Sequence, residues 1–406
     1  MSKPLIALAV ASVMLAGCQN TPVKNISDLS NTAVYPSGYA APKTSMEYQS
    51  SFEARRPRIN SAPIPGYTLG ATIIADFNND GQQDLFGAHD PQAYVQYAFG
   101  PNRTRLNQSP STGMKKLREE NWSSIFNFYD LSSDEFFAPQ LSKTLKISGD
   151  TTECLHPSNV AIGDLNADTQ PDIVVGCHGF DLNPFPGAHS YVMLSDENGQ
   201  YRATKLPGKK AFTHRVALLD INLDGFLDVV AADGKRLAYY LNNGRGIFSN
   251  PTTLLSRKGL YTVQAADLNG DGLHDLLYGG HEADPHGSTP TKILWNDGSG
   301  SFARKLTTQI PSVRGFGIVL DFQVWDGLLV IARTGDNPPY QNGALQVISI
   351  DSLEEVQLLT SELPHPYVFQ RVAGKKPNAF GTMETYRRGH DFFIEDGTVQ
   401  FLRNAR

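Results

Sequence analysis

Four acidic segments recur along this chain in one frame: DFNNDGQQD (76–84), DLNADTQPD (164–172), DINLDGFLD (220–228) and DLNGDGLHD (267–275). Each is preceded by a short apolar run (IIA, AIG, ALL, QAA) and followed by a β-prone one (LFG, IVVG, VVAA, LLYGG). Charge concentrated between two short strand-like runs marks a loop at the tip of a hairpin. Four repetitions of the unit demand an architecture assembled from repeated hairpins. Helical periodicity is scarce elsewhere, while 36 Gly and 25 Pro point to many strands joined by turns.

A second hairpin signal follows three of the loops: VMLSDENGQY (192–201), YYLNNGRGIF (239–248) and ILWNDGSGSF (293–302). The repeating order is strand, acidic loop, strand, linker, strand, Asn/Asp-Gly turn, strand, which makes four strands per unit. The spacings between first aspartates are 88, 56 and 47 residues, and Asp321, 54 further on in VLDFQVWDGLLVIA, heads a fifth copy that has lost its ligands. A period near 50 with four strands per unit is the signature of a β-propeller blade, so the chain is expected to be all-β, a propeller of four-stranded blades. Residues 67–406 form the expected propeller; dividing the 339 residues of 68–406 by seven gives about 48, which favours seven blades over six. The 88-residue gap reads as either an insertion or a cryptic blade within 101–150, and HDFFIEDGTVQFL (390–402) reads as a closing hairpin.

In each loop, side chains at positions 1, 3 and 5 and again at 9 converge on one point only if the loop curls around it. Glycine at position 6 permits the sharp turn, and the backbone carbonyl at position 7 (Gln82 in the first copy) adds an oxygen. The ligand sets are Asp76, Asn78, Asp80 and Asp84; Asp164, Asn166, Asp168 and Asp172; Asp220, Asn222, Asp224 and Asp228; and Asp267, Asn269, Asp271 and Asp275. Three carboxylates and an amide without nitrogen or sulfur donors describe a hard cation, and Ca²⁺ accepts an irregular oxygen cage more readily than Mg²⁺. Position 12, where an EF-hand needs Glu, is Gly87, Val175, Ala231 or Tyr278, so that motif is excluded. The second copy departs from the pattern, with Thr169 at the glycine position and Pro171 before the last Asp. Up to four structural Ca²⁺ ions are expected, with the second site the weakest.

The D-x-N-x-D-G-x-x-D loop between apolar strands resembles the FG-GAP/VCBS repeat of integrin-type β-propellers. The resemblance covers roughly residues 68–335. In such a blade the acidic loop joins the innermost strand to the next on one face of the disc, and in integrin-like relatives the opposite face carries ligand contacts. In this frame the loops leaving the second strand supply His89 and Asp90, His178, Asp233, His281 and Glu282, and Arg333 with Asp336. The loops entering the inner strand supply His156, His214 with Arg215, Tyr261 and Arg314, and the longest leaving loops add Phe180, Phe185, His189 and His286. From these, His89, His178, His214, Arg215, His281 and Arg333 are the candidate ligand residues. Two alternatives stand beside that reading: Gly-His strand ends that cap the sheets internally, and a transition-metal site, which needs tetrahedral convergence.

The N-terminus carries a different message. MSKPLIALAVASVMLAGC has a positive n-region (Lys3), a short apolar run and small residues before a cysteine, a secretory signal too short to span a membrane convincingly. Leu15-Ala16-Gly17-Cys18 resembles the bacterial lipobox, in which the cysteine (Cys18) is lipidated; Gln19 after it leans towards the outer membrane of a Gram-negative host. Residues 1–18 are therefore expected to be a lipoprotein signal and 19–66 a polar tether. Cys154 and Cys177 flank the second acidic loop and are disulfide candidates in an exported chain, the alternative being two buried thiols.

A net charge of -6 without a long basic run argues against nucleic acid as a partner. No G-x-S-x-G or phosphate-binding loop is present, and His281-Glu282…His286 is not H-E-x-x-H. The sequence therefore favours a membrane-anchored, calcium-stabilised propeller that acts as a binding, adhesion or scaffold module for an envelope protein or glycan. The runner-up is an envelope polysaccharide lyase or hydrolase using His178, His214, Arg215 and His281.

Overall fold

The computed structural model describes residues 21–22, 40, 42, 67–91, 110–120, 122–130, 140–282, 287–325, 327–336, 342–360, 368–372, 380–383, 391–395 and 398–402. Cys18 and the expected lipobox, most of the expected tether and His286 lie outside these residues.

The described strands sort into six antiparallel units of four. Blade I comprises Tyr67–Ala75, Asp84–Pro91, Ile125–Asp130 and Gln140–Leu141. Blade II comprises Pro157–Gly163, Asp172–Cys177, Tyr191–Ser195 and Gln200–Lys205, with Lys146–Ser148 added in parallel at its outer edge. Blade III contains Arg215–Leu219, Asp228–Ala232 and Gly234–Tyr240, and takes as its fourth strand the first part of Thr252–Ala266. The second part of that same strand is the innermost strand of blade IV, followed by Asp275–Gly280, Lys292–Leu294 and Leu306–Gln309. Blade V comprises Ile318–Trp325, Leu328–Thr334, Gly343–Ser349 and Glu355–Leu359; blade VI comprises Val368–Val372, Phe380–Met383, Asp391–Glu395 and Thr398–Leu402.

The innermost strands contact one another in order around a ring, and the ring closes where Ile73 and Ile74 of blade I pair in parallel with Arg371 and Val372 of blade VI. Length arithmetic favoured seven blades; the described residues make six. The discrepancy lies in blade I, where one blade fills the 88-residue gap by inserting a helix, α1 (Pro110–Glu119), between its second and third strands. Gly113 of α1 sits directly on the Phe180 ring of blade II, where an added Cβ would stand 2.4 Å from the ring edge. The closing hairpin expected near the C-terminus is the pair Asp391–Glu395 and Thr398–Leu402.

Blades II, III and IV are covered on both faces by their neighbours, which explains why their second strands read as continuous apolar runs. Asp172–Cys177, Asp228–Ala232 and Asp275–Gly280 are buried throughout. Between blades I and II, Phe77, Phe86, Phe126 and Phe128 pack against Val160, Ile162, Val175, Tyr191 and Tyr201. Blades IV and V meet over Leu277, Ile293 and Trp295 on one side and Phe322, Leu329 and Ile331 on the other. Polar staples lock the inner ring: Asn159 of blade II exchanges two hydrogen bonds with the backbone of Val216 in blade III. Cys154 and Cys177 are joined in a disulfide, with Cα atoms 5.3 Å apart, at the open end of the first hairpin of blade II.

Two expectations meet a different arrangement. Within the expected polar tether (19–66), Thr21–Pro22 pairs in parallel with Leu306 and Thr307 on the outer edge of blade IV, a contact the sequence did not announce. Asp321 heads no loop: it lies within the strand Ile318–Trp325, next to a register shift between Val319 and Asp321.

Candidate functional site

The four acidic loops adopt one shape. In the first, Asp76 Oδ1 and Asn78 Oδ1 both accept from the N–H of Asp80 (3.1 and 3.0 Å), while Asp76 Oδ2 accepts from Gly81 (2.9 Å). The second repeats this at Asp168 N (3.2 Å from Asp164 Oδ1, 3.1 Å from Asn166 Oδ1), and the third at Asp224 N with Asp220 and Asn222. In the fourth, Asp267 accepts from Gly270 and Gly272 and Asn269 from Asp271. Positions 4 and 6 are left-handed in every copy: Asn79, Ala167, Leu223 and Gly270, then Gly81, Thr169, Gly225 and Gly272. The ninth-position aspartates are buried and start the second strand. Asp172 shows their role: Oδ2 accepts from Leu165 N (2.7 Å) and Oδ1 from Ser195 N (2.7 Å), fastening the loop to the third strand. Asp228 and Asp275 do the same with Ile221 and Asn242, and with Leu268 and Asn296.

Burial pushes Asp84, Asp172 and Asp228 up to about 7 and raises Asp275 well above the carboxylate range. The donor chemistry, all oxygen with carboxylates that are costly to keep charged, fits a hard cation. As placed, the position-5 carboxylate instead takes the position-3 amide (Asn78 Nδ2 to Asp80 Oδ2, 3.0 Å). Among the described residues no three His, Cys, Asp or Glu side chains form a set able to hold a metal ion.

At the opposite end of the inner strands lies a continuous row of rings. His156 enters blade II with a left-handed backbone (φ 55), and its ring meets that of His178 at 4.9 Å. His178 meets His214 edge to face at 4.2 Å, with Nε2 to Nε2 at 3.2 Å. His214 meets Tyr261 at 4.2 Å, and Tyr261 meets His281 at 4.9 Å. The row therefore crosses blades II, III and IV. Phe212 flanks it, 3.7 Å from the His178 ring centroid and 4.7 Å from that of His214, and leads to Phe185, which is 41% exposed. At the other end Asp90 of blade I binds His156 Nδ1 at 2.7 Å.

Residues 220–278, which span two acidic loops and the strand shared by blades III and IV, match the FG-GAP-like repeat family. The chain is a β-propeller carrying an FG-GAP-like repeat. No curated protein matches its sequence. Among solved structures, the propeller is similar to Saccharomyces cerevisiae Sqt1 (TM-score 0.46, 8% identity, 83% of this chain and 85% of that one). It is also similar to the Dos1 propeller (TM-score 0.40, 9% identity, 83% and 71%). A third likeness is to an Agrocybe aegerita lectin solved for its specific recognition of non-reducing terminal N-acetylglucosamine (TM-score 0.40, 14% identity), covering 73% of this chain and 66% of the lectin.

The propeller sorts the six sequence-predicted ligand residues into three cases. His178, His214 and His281 stand in the row. His89 and Arg333 do not: each is 0% exposed, because the strand ends that carry them are covered by adjoining elements. His89 bonds Tyr129 through Nε2 at 2.8 Å. All five guanidinium N–H donors of Arg333 have protein acceptors available, on Glu282, Gln346 and the carbonyls of Phe316 and Pro311. These two withdraw from the candidate site as internal caps. Arg215 reaches over to blade V, bonding Leu320 O at 3.2 Å and standing 3.5 Å from Asp321. The bulge there frees the Leu320 carbonyl that Arg215 takes.

Protonation differs along the row. Burial, reinforced by His214 and His156, holds His178 well below the imidazole range; burial with His156, Arg215 and His281 does the same for His214. For His156 burial opposes the charge, but the Asp90 carboxylate outweighs it and raises the pKa. His156, His214, Tyr261 and His281 are half-buried and His178, at 3% exposed, lies beneath them, so the row offers aromatic hydrogen-bonding groups with an imidazole–carboxylate pair at its end. Phe212 carried no repeat signal in the sequence; only its position two residues before His214 pointed at it.

Proposed function

We propose that this propeller is an envelope binding or scaffold module whose partner, a glycan or a protein, docks on the imidazole and aromatic row opposite the acidic loops. The observation that carries the reading is the continuity of His156, His178, His214, Tyr261 and His281 across three blades, with exposed Phe185 at its flank. Flat aromatic groups with uncharged ring N–H and O–H donors suit the faces and hydroxyls of sugar rings and also the anchors of a protein interface. Ca²⁺ in the acidic loops stiffens the opposite face; their all-oxygen donor sets and costly buried aspartates support that assignment. A lipidated Cys18 holds the module to the membrane, which the lipobox-like ending of the N-terminal segment supports.

An enzymatic reading has one observation in its favour. The Asp90–His156 pair has the form of an imidazole oriented by a carboxylate, as in general acid–base catalysis on a polysaccharide. Crosslinking the protein in its native membrane, with Ca²⁺ and with chelator, tests both. Capture of an envelope partner that His214→Ala and Phe185→Ala each weaken supports the binding reading. Envelope glycan that is shortened, with turnover falling by orders of magnitude in His156→Ala at unchanged affinity, replaces it with the enzymatic one.

A further inference from the structure

The start of the chain and one edge of the disc stand together in a way the binding reading does not use. Thr21–Pro22 runs parallel to the outer strand of blade IV, Thr21 opposite Leu306 and Pro22 opposite Thr307. That pairing sets Thr21 beside the start of the strand, which Arg304 and Lys305 precede. Cys18 is three residues before Thr21, and three residues reach at most about 11 Å in any conformation. A lipid on Cys18 has no room to hold the disc away from the bilayer.

The edge itself is basic. Arg257 and Lys258 lie exposed just past Ser256, where the shared strand leaves the outer edge of blade III, and Arg304 is exposed at the turn into the outer strand of blade IV. Lys305 reaches across to the Leu254 carbonyl at 3.1 Å, so the two outer strands form one rim. Lys292, whose pKa is lowered first by burial and then by Arg257, adds a further cation on the same side. Neither TTLLSRK (252–258) nor ARKLTTQ (303–309) contains an acidic residue. The acidic side chain closest in sequence on blade IV, Asp297, is buried and accepts from the N–H groups of Ser299 and Arg304.

We propose that the basic rim of blades III and IV lies against an anionic bilayer, with the lipid on Cys18 entering the membrane beside Arg304. The inference rests on the lipoprotein reading of the N-terminus. It adds to the attachment that acyl chains on Cys18 provide and sets the orientation of the disc, since each basic residue near an anionic surface contributes about a fivefold gain in attachment. The disc then stands edge-on, and both the acidic loops and the row of rings stay clear of the lipid. Blade I, opposite blade IV in a ring of six, faces away.

The test uses the full acylated protein purified from membranes, with Ser256→Cys or Leu141→Cys as the one added thiol; Ser256 is exposed on the rim and Leu141, 57% exposed, lies on the outer strand of blade I. An environment-sensitive fluorophore on each is read against a headgroup quencher, in phosphatidylcholine vesicles with and without about a third phosphatidylglycerol. The expected result is strong quenching at position 256 and little at 141, dependent on the anionic lipid and on low salt. Arg257→Glu with Lys258→Glu and Arg304→Glu should abolish the difference. Equal quenching at the two positions in an acylated protein overturns the rim proposal and leaves the lipoprotein reading standing. Mass spectrometry showing no acyl group on Cys18 sinks both.

Discussion

Replacing Arg333 by Met should destabilise blades IV and V severely without touching the row of rings. The guanidinium and Glu282 are 0% and 5% exposed, and they meet through two bonds, Nη1 to Oε2 at 3.0 Å and Nη2 to Oε1 at 3.3 Å. Removing the cation leaves Glu282 with Thr291 as its neutral partner in a site that no longer compensates its charge. Breaking a buried pair from one side costs about 3–5 kcal/mol, whereas removing both charges is often close to neutral. Arg333→Met alone should therefore cost about 3–5 kcal/mol, and adding Glu282→Gln should recover about half or more of it. Urea unfolding followed by fluorescence suits the question, because Trp295 is fully buried between blades IV and V and reports that region. The Phe316 carbonyl and the Gln346 amide oxygen lose the Arg333 donor in both variants, while the Pro311 carbonyl keeps Gln346 Nε2, so recovery will be incomplete. A loss under about 1 kcal/mol for Arg333→Met, or two single costs that simply add in the double variant, refutes the reasoning. Full stability with lost partner binding would return Arg333 to the ligand role that its sequence position implied.

Other outcomes follow from the same geometry. At about 1 mM Ca²⁺ and a dissociation constant of ~0.1 mM, chelation should remove about 1.4 kcal/mol per occupied loop, read as a lower Tm by calorimetry; an unchanged Tm sinks the calcium assignment. Thr169 holds a left-handed φ of 72 where the other loops have glycine, so Thr169→Gly should stabilise the protein by about 1 kcal/mol and tighten the second site. His89 is held down to about 4 by burial, so the unfolded chain binds the extra proton between about pH 6.5 and 4. Stability is complete above that window and falls by about 3 kcal/mol as pH drops through it; His89→Phe should flatten this slope, and an unchanged slope assigns the acid sensitivity elsewhere. Replacing Cys154 and Cys177 together by Ser opens a loop with a sequence separation of 23, at a chain-entropy cost of about 3.4 kcal/mol, measurable by urea denaturation.

The acidic loops and the four-strand period were legible because each depends on residue types at fixed offsets. Left-handed positions 4 and 6 and a buried ninth aspartate leave a local trace that survives without knowledge of neighbours. Blade number was not, because α1 lengthens blade I and the strand Thr252–Ala266 serves two blades, distorting the spacing in opposite directions. His89 and Arg333 were assigned to a surface because the blade frame places them at strand ends. Whether such an end meets solvent depends on what is laid over it, and here Tyr129 and Glu282 do so from distant parts of the chain. The row of rings was half visible: His156, His178, His214, Tyr261 and His281 recur at entry and exit positions, but their mutual contact is a product of blade packing. Asp321 shows the reverse, a motif remnant reused as the counter-charge for Arg215.

The strand Thr252–Ala266 passes from the rim of one blade to the hub of the next without a loop, with Leu260 paired to Gly234 on one side and to Gly280 on the other. A propeller whose blades were joined by flexible connectors could lose one blade at a time. Here blades III and IV share a continuous spine, so amide exchange should report them opening together, as one cooperative block. That block carries His214, Tyr261 and His281, and whatever the face binds will meet these three as a single rigid body.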